Sequence, residues 1–125
     1  MTNVVDLTGT FYNCYSFSWD LGNWSVSRRC KSMDRMFYGA WTFESQDLGR
    51  WDTSSVNTTF AMFRFAYNFN GDVSKWDLSN VRDCSRMFEE AESFNGDLSS
   101  WKSGNATTMA YMFTGAVSFN SDISR

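Results

Sequence analysis

Apolar side chains recur at a fixed step along the chain. Trp51, Trp76 and Trp101 are 25 residues apart, and Met-Phe pairs keep the same step at 62–63, 87–88 and 112–113. Small and polar residues fill the positions between them in nearly the same order each time. A period of this length is typical of repeat proteins, in which each copy adds one supersecondary unit. The pattern therefore predicts a chain built from copies of one unit.

The repeated unit reads W-D-x-S-x-V-x-x-M-x-x-M-F-x-x-A-x-x-F-N-x-D-[LVI]-S-x. It predicts a single repeat domain over residues 1–125, with units at approximately 1–23, 24–50, 51–75, 76–100 and 101–125. The first unit is a degenerate copy, and the second carries two inserted residues. Surface loops absorb such insertions at little cost.

The spacing within a unit predicts its local structure. The segment from Gly71 to Trp76 favours a short parallel strand, and the apolar spacing of three or four in V-x-x-M-x-x-M-F-x-x-A favours a short helix or 3₁₀ turn. One unit cannot bury its own aromatic residues, so neighbouring units must stack. The expected fold class is an α/β repeat solenoid of about five coils, with short parallel strands, turns and short helical segments.

Stacking places equivalent side chains above one another, at about the 4.7–4.9 Å spacing of parallel strands. The aromatic residues of the unit should therefore form structural ladders. The expected members are Trp51, Trp76, Trp101, Phe63, Phe88, Phe113, Phe69, Phe94 and Phe119.

The composition argues against catalytic activity and against several classes of binding partner. The chain has 12 Phe, 6 Trp and 5 Tyr but no His, so it lacks the commonest general base and metal ligand. We therefore expect no enzyme activity and no cofactor. The net charge of −3 and the scattered basic residues argue against nucleic-acid binding. No apolar run reaches the ~18 residues of a transmembrane segment, and MTNVVDLTGT does not resemble a signal peptide.

One column of carboxylates has two interpretations. Asp47, Asp72, Asp97 and Asp122 occupy the same position of successive units, and stacked carboxylates repel one another. A line of cations such as Ca²⁺ would compensate for that repulsion. Alternatively, each Asp accepts backbone N–H hydrogen bonds within its own turn. The second interpretation is favoured, which leaves the column as a weak metal candidate.

The long motif also carries a family resemblance, clearest over 51–69, 76–94 and 97–119. It resembles the BspA-like leucine-rich-repeat surface proteins, in the subtype abundant in mycoplasma lipoproteins. The resemblance implies a right-handed, leucine-rich-repeat-like solenoid on a cell surface or outside the cell. It also implies a link to adhesion and no common catalytic site.

The expected function is thus a non-catalytic surface module for adhesion or protein recognition. The alternative is a structural subunit that stacks head to tail through uncapped ends into a filament, shell or array. If the module binds a partner, the strand-side residues Ser74, Lys75, Ser99 and Ser100 are the expected contact face.

Overall fold

Backbone hydrogen bonds join each copy of the unit to the next. A computed structural model describes residues 5–44, 47–101 and 105–120. The chain runs as a series of coils, in which a coil is one passage of the chain from a given position of the unit to the next equivalent position. Isolated parallel bridges connect neighbouring coils at Asp6–Ser32, Ser32–Thr58, Thr58–Asp83, Asp83–Thr108 and Asp47–Asp72.

The predicted α/β solenoid with strands and helical segments is wrong. The described residues contain no helix, and their strand pairing is limited to those isolated bridges. The strand predicted from Gly71 to Trp76 is reduced to the bridge at Asp72. Ser74 N–H turns back to Asp72 Oδ1 at 2.9 Å, and Trp76 N–H turns back to Val73 O at 3.1 Å. Two tight turns in succession leave no extended run.

The segment predicted as helical consists of two consecutive four-residue turns. Met36 N–H donates to Met33 O at 3.2 Å, and Ala40 N–H donates to Phe37 O at 3.0 Å. The third residue of each turn has a positive φ, as in a type II turn: 53° at Arg35 and 71° at Gly39. The buried first and last residues of the two turns reproduce the i, i+3, i+4, i+7 spacing of a helix.

Every second backbone N–H group of this segment donates its hydrogen bond to the next coil instead of within its own coil. The N–H groups of Met33, Arg35 and Phe37 donate to carbonyls of the next coil at 2.8–3.1 Å. A helix would need those donors for bonds four residues back along its own chain. The coil-to-coil bonds therefore compete directly with helix formation, and they recur at 7–13, 59–65 and 84–90.

The core is a set of parallel aromatic columns with Met and Ala between them. Phe37, Phe63 and Phe88 are fully buried, and their ring centroids follow one another at 5.3 and 5.4 Å. Within one coil, Phe63 also stacks on Phe69 at 4.2 Å. Ring planes differ by at most 7° in these pairs. Aromatic burial of this kind replaces the aliphatic core of most domains.

Candidate recognition surface

The aromatic ladders expected from the sequence lie in the interior. Trp51 and Trp76 stack with centroids 5.9 Å apart. The two Phe columns continue through pairs at 5.4 to 6.0 Å, at Phe63–Phe88, Phe88–Phe113, Phe69–Phe94 and Phe94–Phe119. Trp101 is partly buried and donates its indole N–H to Val73 O at 2.9 Å. These residues hold the coils together, and of the nine ladder residues only Trp101, Phe113 and Phe119 are partly exposed.

The carboxylates of the Asp column serve local turns. Asp47 Oδ1 accepts Gly49 N–H at 2.8 Å, and Asp97 Oδ1 accepts Ser99 N–H at 2.9 Å. Asp72 Oδ1 accepts both Ser74 N–H at 2.9 Å and the Ser74 hydroxyl at 2.6 Å. Asp122 lies outside the described residues.

Hydrogen bonds to the charged form lower the pKa of two of these carboxyls. The Ser74 hydroxyl and then the Ser74 amide hold the pKa of Asp72 below its usual value. At Asp97 the backbone amide of Ser99 comes first in lowering the pKa. Within the described ranges, no group of three or more His, Cys, Asp or Glu side chains is arranged to hold a metal ion.

The expected contact face lies beside these turns. Lys75 and Ser100 are exposed, while Ser74 and Ser99 are partly buried. The Ser74 hydroxyl is already engaged with Asp72, and the use of this face in binding stays a prediction.

A different surface carries most of the exposed aromatic rings. We call it the aromatic patch and define it by the six side chains Tyr12, Tyr15, Tyr38, Trp41, Phe65 and Tyr67. Tyr12, Tyr15 and Trp41 are 46%, 47% and 44% exposed, and the other three are partly buried.

The patch consists of two short columns that meet in the third coil. In one column Tyr12 stacks on Tyr38 at 4.8 Å, and Tyr38 meets Phe65 edge to face at 5.5 Å. In the other, Tyr15, Trp41 and Tyr67 follow one another at 4.3 and 6.0 Å with rings tilted by 40°. Phe65 and Tyr67 join the columns at 6.3 Å. The rings therefore form one continuous surface across three coils.

The polar tips of the patch are available to a ligand. Within the described residues, the hydroxyls of the four patch tyrosines and the Trp41 indole N–H make no hydrogen bond. An exposed row of small polar side chains, Ser16, Thr42 and Asn68, follows the Tyr15–Trp41–Tyr67 column directly in sequence. The patch thus combines apolar ring surface with hydrogen-bonding groups at its rim.

Arg64 closes the patch on the side of the fourth coil. Its guanidinium lies 4.7 Å from the Phe65 ring centroid and 5.6 Å from that of Tyr38. Arg64 Nε is 3.3 Å from Glu89 Oε2, and Glu89 also pairs with Arg86 at 2.8 Å. Glu89 offsets one of the two guanidinium charges, so this group at the edge keeps a net positive charge, while the six patch side chains carry none.

The patch ends where the repeat changes its surface residues. The positions of Tyr12 and Tyr38 are taken by Arg64, Glu89 and Thr114 in later coils, and backbone bonds such as Gly39 N–H to Arg64 O fix this equivalence. The core columns, in contrast, stay aromatic in every coil. Repeated residues predict the core columns but not this surface, because its signal in the sequence is a departure from the repeat.

Comparison with known proteins identifies one family. Residues 31–125 match the family model described as Mycoplasma protein of unknown function, DUF285. No curated protein sequence and no solved structure matches the chain. The described part of the chain includes no helix of the length and apolarity needed to cross a membrane.

Proposed function

Because the chain belongs to the Mycoplasma protein family of unknown function DUF285, we propose that it is a non-catalytic recognition module displayed on a cell surface. The motif's resemblance to BspA-like surface repeat proteins supports both the location and an adhesive role. In this proposal the core columns build a stiff support, and the aromatic patch makes the contact.

The observation that carries the proposal is the exposure of Tyr12, Tyr15 and Trp41. Stacking of the coils requires the buried Phe columns, which every coil supplies, but it does not require rings on this face, since the last two coils lack them. Exposed clusters of Tyr and Trp are enriched where proteins bind partners. A surface that the fold does not need and that water disfavours is a recognition site by this reasoning.

A cell-binding experiment tests the proposal. Fluorescently labelled protein would be incubated with cultured epithelial cells and measured by flow cytometry. The double variant Tyr15→Ser, Trp41→Ser removes the two most exposed rings of one column. The matched control Tyr111→Ser removes a ring that is 59% exposed but lies outside the patch.

We expect the wild type and the Tyr111→Ser control to bind saturably, and the double variant to lose at least nine-tenths of the signal. Thermal unfolding would establish that both variants are folded. Saturable binding that the double variant retains would contradict the assignment of the patch, and the absence of any binding would contradict the adhesive function.

Head-to-tail self-assembly, the alternative expected from the sequence, stays a prediction. Analytical ultracentrifugation over a concentration series would measure it directly. A monomer at every concentration would exclude it, while growth into long assemblies would favour a structural role over adhesion.

A further inference from the structure

We propose that the aromatic patch binds an uncharged glycan. The inference rests on the proposed function and names the chemistry of its partner. Three properties of the patch carry it, which are its size, its polar tips and its charge.

The size of the patch favours a small ligand over a folded protein. An aromatic side chain presents about 150–250 Å², and none of the six rings is more exposed than Tyr15 at 47%. The rings therefore offer at most roughly 700 Å². A stable complex of two proteins, or a dimer of this chain, covers about 800 Å² on each partner. The patch falls short of that area but suits an oligosaccharide.

The polar tips favour a ligand that is rich in hydroxyl groups. Four Tyr hydroxyls and the Trp41 indole N–H have no protein partner in the described residues. An apolar lipid or an aliphatic peptide side chain would strip water from these groups and give no hydrogen bond in return. A sugar ring has a face of C–H groups for the aromatic surface and a rim of hydroxyls for the tips. It satisfies both parts of the patch at once.

The charge of the patch favours a neutral ligand. None of its six residues is charged, and the nearest cation, Arg64, is paired with Glu89 at 3.3 Å. Glu89 also holds Arg86, so two guanidinium groups share one carboxylate and this cluster at the edge of the patch keeps a net positive charge. An acidic glycan would find a counter-charge only at that edge and none among the six rings.

The experiment combines a glycan array with treated cells. The array carries neutral and acidic oligosaccharides, and it is probed with four proteins. These are the wild type, the double variant Tyr15→Ser, Trp41→Ser, the control Tyr111→Ser, and the quadruple variant Tyr12→Phe, Tyr15→Phe, Tyr38→Phe, Tyr67→Phe. The last variant keeps all six rings and removes only the hydroxyls, so it tests the tips without removing stacking surface.

We expect neutral glycans to bind the wild type and the control, with affinity at least tenfold weaker for the double Ser variant and several-fold weaker for the Phe variant. Calorimetric titration of the best glycan would give these ratios. Patch-dependent binding of acidic glycans alone, or of no glycan on the array, would overturn the proposal.

Binding to cells treated with periodate or trypsin distinguishes the glycan proposal from the adhesive function on which it rests. Periodate oxidises the vicinal diols of glycans and should abolish patch-dependent cell binding, whereas trypsin should remove only the part that depends on glycans carried by proteins. Binding that survives periodate but is lost after trypsin would retain the adhesive function and replace the glycan with a protein partner. Binding that survives both treatments would indicate a lipid surface and overturn the glycan.

Discussion

The indole N–H of Trp76 donates to the backbone carbonyl of Leu48 at 2.8 Å, across two neighbouring coils. The same carbonyl accepts the Trp51 amide of its own turn at 3.1 Å. Trp51 and Trp101 make equivalent bonds to Leu21 O and Val73 O at 3.0 and 2.9 Å. The Trp column is therefore a chain of hydrogen bonds as well as a stack of rings, and it explains why this position is Trp rather than Phe.

Replacing the Trp76 indole with a ring that has no N–H measures how much this hydrogen bond contributes to stability. Trp76→Phe keeps an aromatic ring but removes the N–H, and we expect a loss of about 0.5–1.5 kcal/mol in the free energy of unfolding. Urea denaturation would give the value. The control is Trp24→Phe, since the Trp24 indole makes no hydrogen bond in the described residues. Equal losses in the two variants would show that ring volume, and not the bond, determines the effect.

The turns with positive φ predict that a buried alanine there can be changed to glycine at almost no cost. Ala61 has φ of 52° and is fully buried. A left-handed conformation costs a residue with a Cβ roughly 1–2 kcal/mol, more than the 0.4–1 kcal/mol that glycine adds to the entropy of the unfolded chain. Because the change also removes a buried methyl group worth about 0.8 kcal/mol, we expect Ala61→Gly to leave the free energy of unfolding nearly unchanged, within about 0.5 kcal/mol.

The control for that change is Ala66→Gly, because Ala66 is equally buried but has no positive φ. It should destabilise the chain by about 1 kcal/mol, since it loses a buried methyl group and gains unfolded-state entropy. Chemical denaturation of both variants would show whether only Ala66→Gly is costly. An equal loss of stability in the two variants would contradict the strained turn.

Asp72 predicts a pH-dependent contribution to stability. Its folded pKa lies below the usual 3.8 because of the Ser74 hydroxyl and amide. A depressed folded pKa stabilises the folded state above the unfolded pKa, and that stabilisation is lost as pH falls through the folded pKa. Asp72→Asn should therefore lower the melting temperature slightly at pH 7, with the difference disappearing below pH 3.8.

The matched variant for the pH experiment is Glu92→Gln, at an exposed carboxylate without a hydrogen bond in the described residues. Its melting temperature should follow that of the wild type from pH 7 downwards. A difference between Asp72→Asn and the wild type that persisted at the lowest pH would show that the charge of Asp72 is not its cause.

The three free thiols should react at different rates with a thiol reagent, and only one of them should react fast in the native chain. Cys30 and Cys84 are 1% and 3% exposed, whereas Cys14 is partly exposed. Burial raises the pKa of Cys84 to about 11 and also raises that of Cys30, so almost no reactive thiolate is present at pH 7.5. Ellman's reagent should label one thiol quickly in the native chain and all three in urea.

The variant Cys14→Ser should remove the fast phase of labelling and leave the two slow thiols unchanged. A fast phase that survives this substitution would show that one of the buried thiols is reached in the native chain.

The sequence by itself determined the repeat and its interior. The 25-residue step of Trp51, Trp76 and Trp101 follows from residue identity alone, and the favoured use of the Asp column in turns needed only general knowledge of Asp side chains. Both features are local or strictly periodic, so a pattern along one dimension contains them. The family match over residues 31–125 confirms the mycoplasma part of the resemblance, and the BspA-like leucine-rich-repeat assignment stays a prediction.

Only the tertiary structure decided the conformation of the coil and the position of the patch. The spacing of Met33, Met36, Phe37 and Ala40 fits a helix and a pair of turns equally well. The choice depends on whether the alternate amides bond within the chain or to the next coil. Likewise Tyr12, Trp41 and Phe65 come from three coils, and they form one surface only because stacking places these coils side by side. Contacts between coils join residues that are far apart in the sequence, so local sequence patterns do not reveal them.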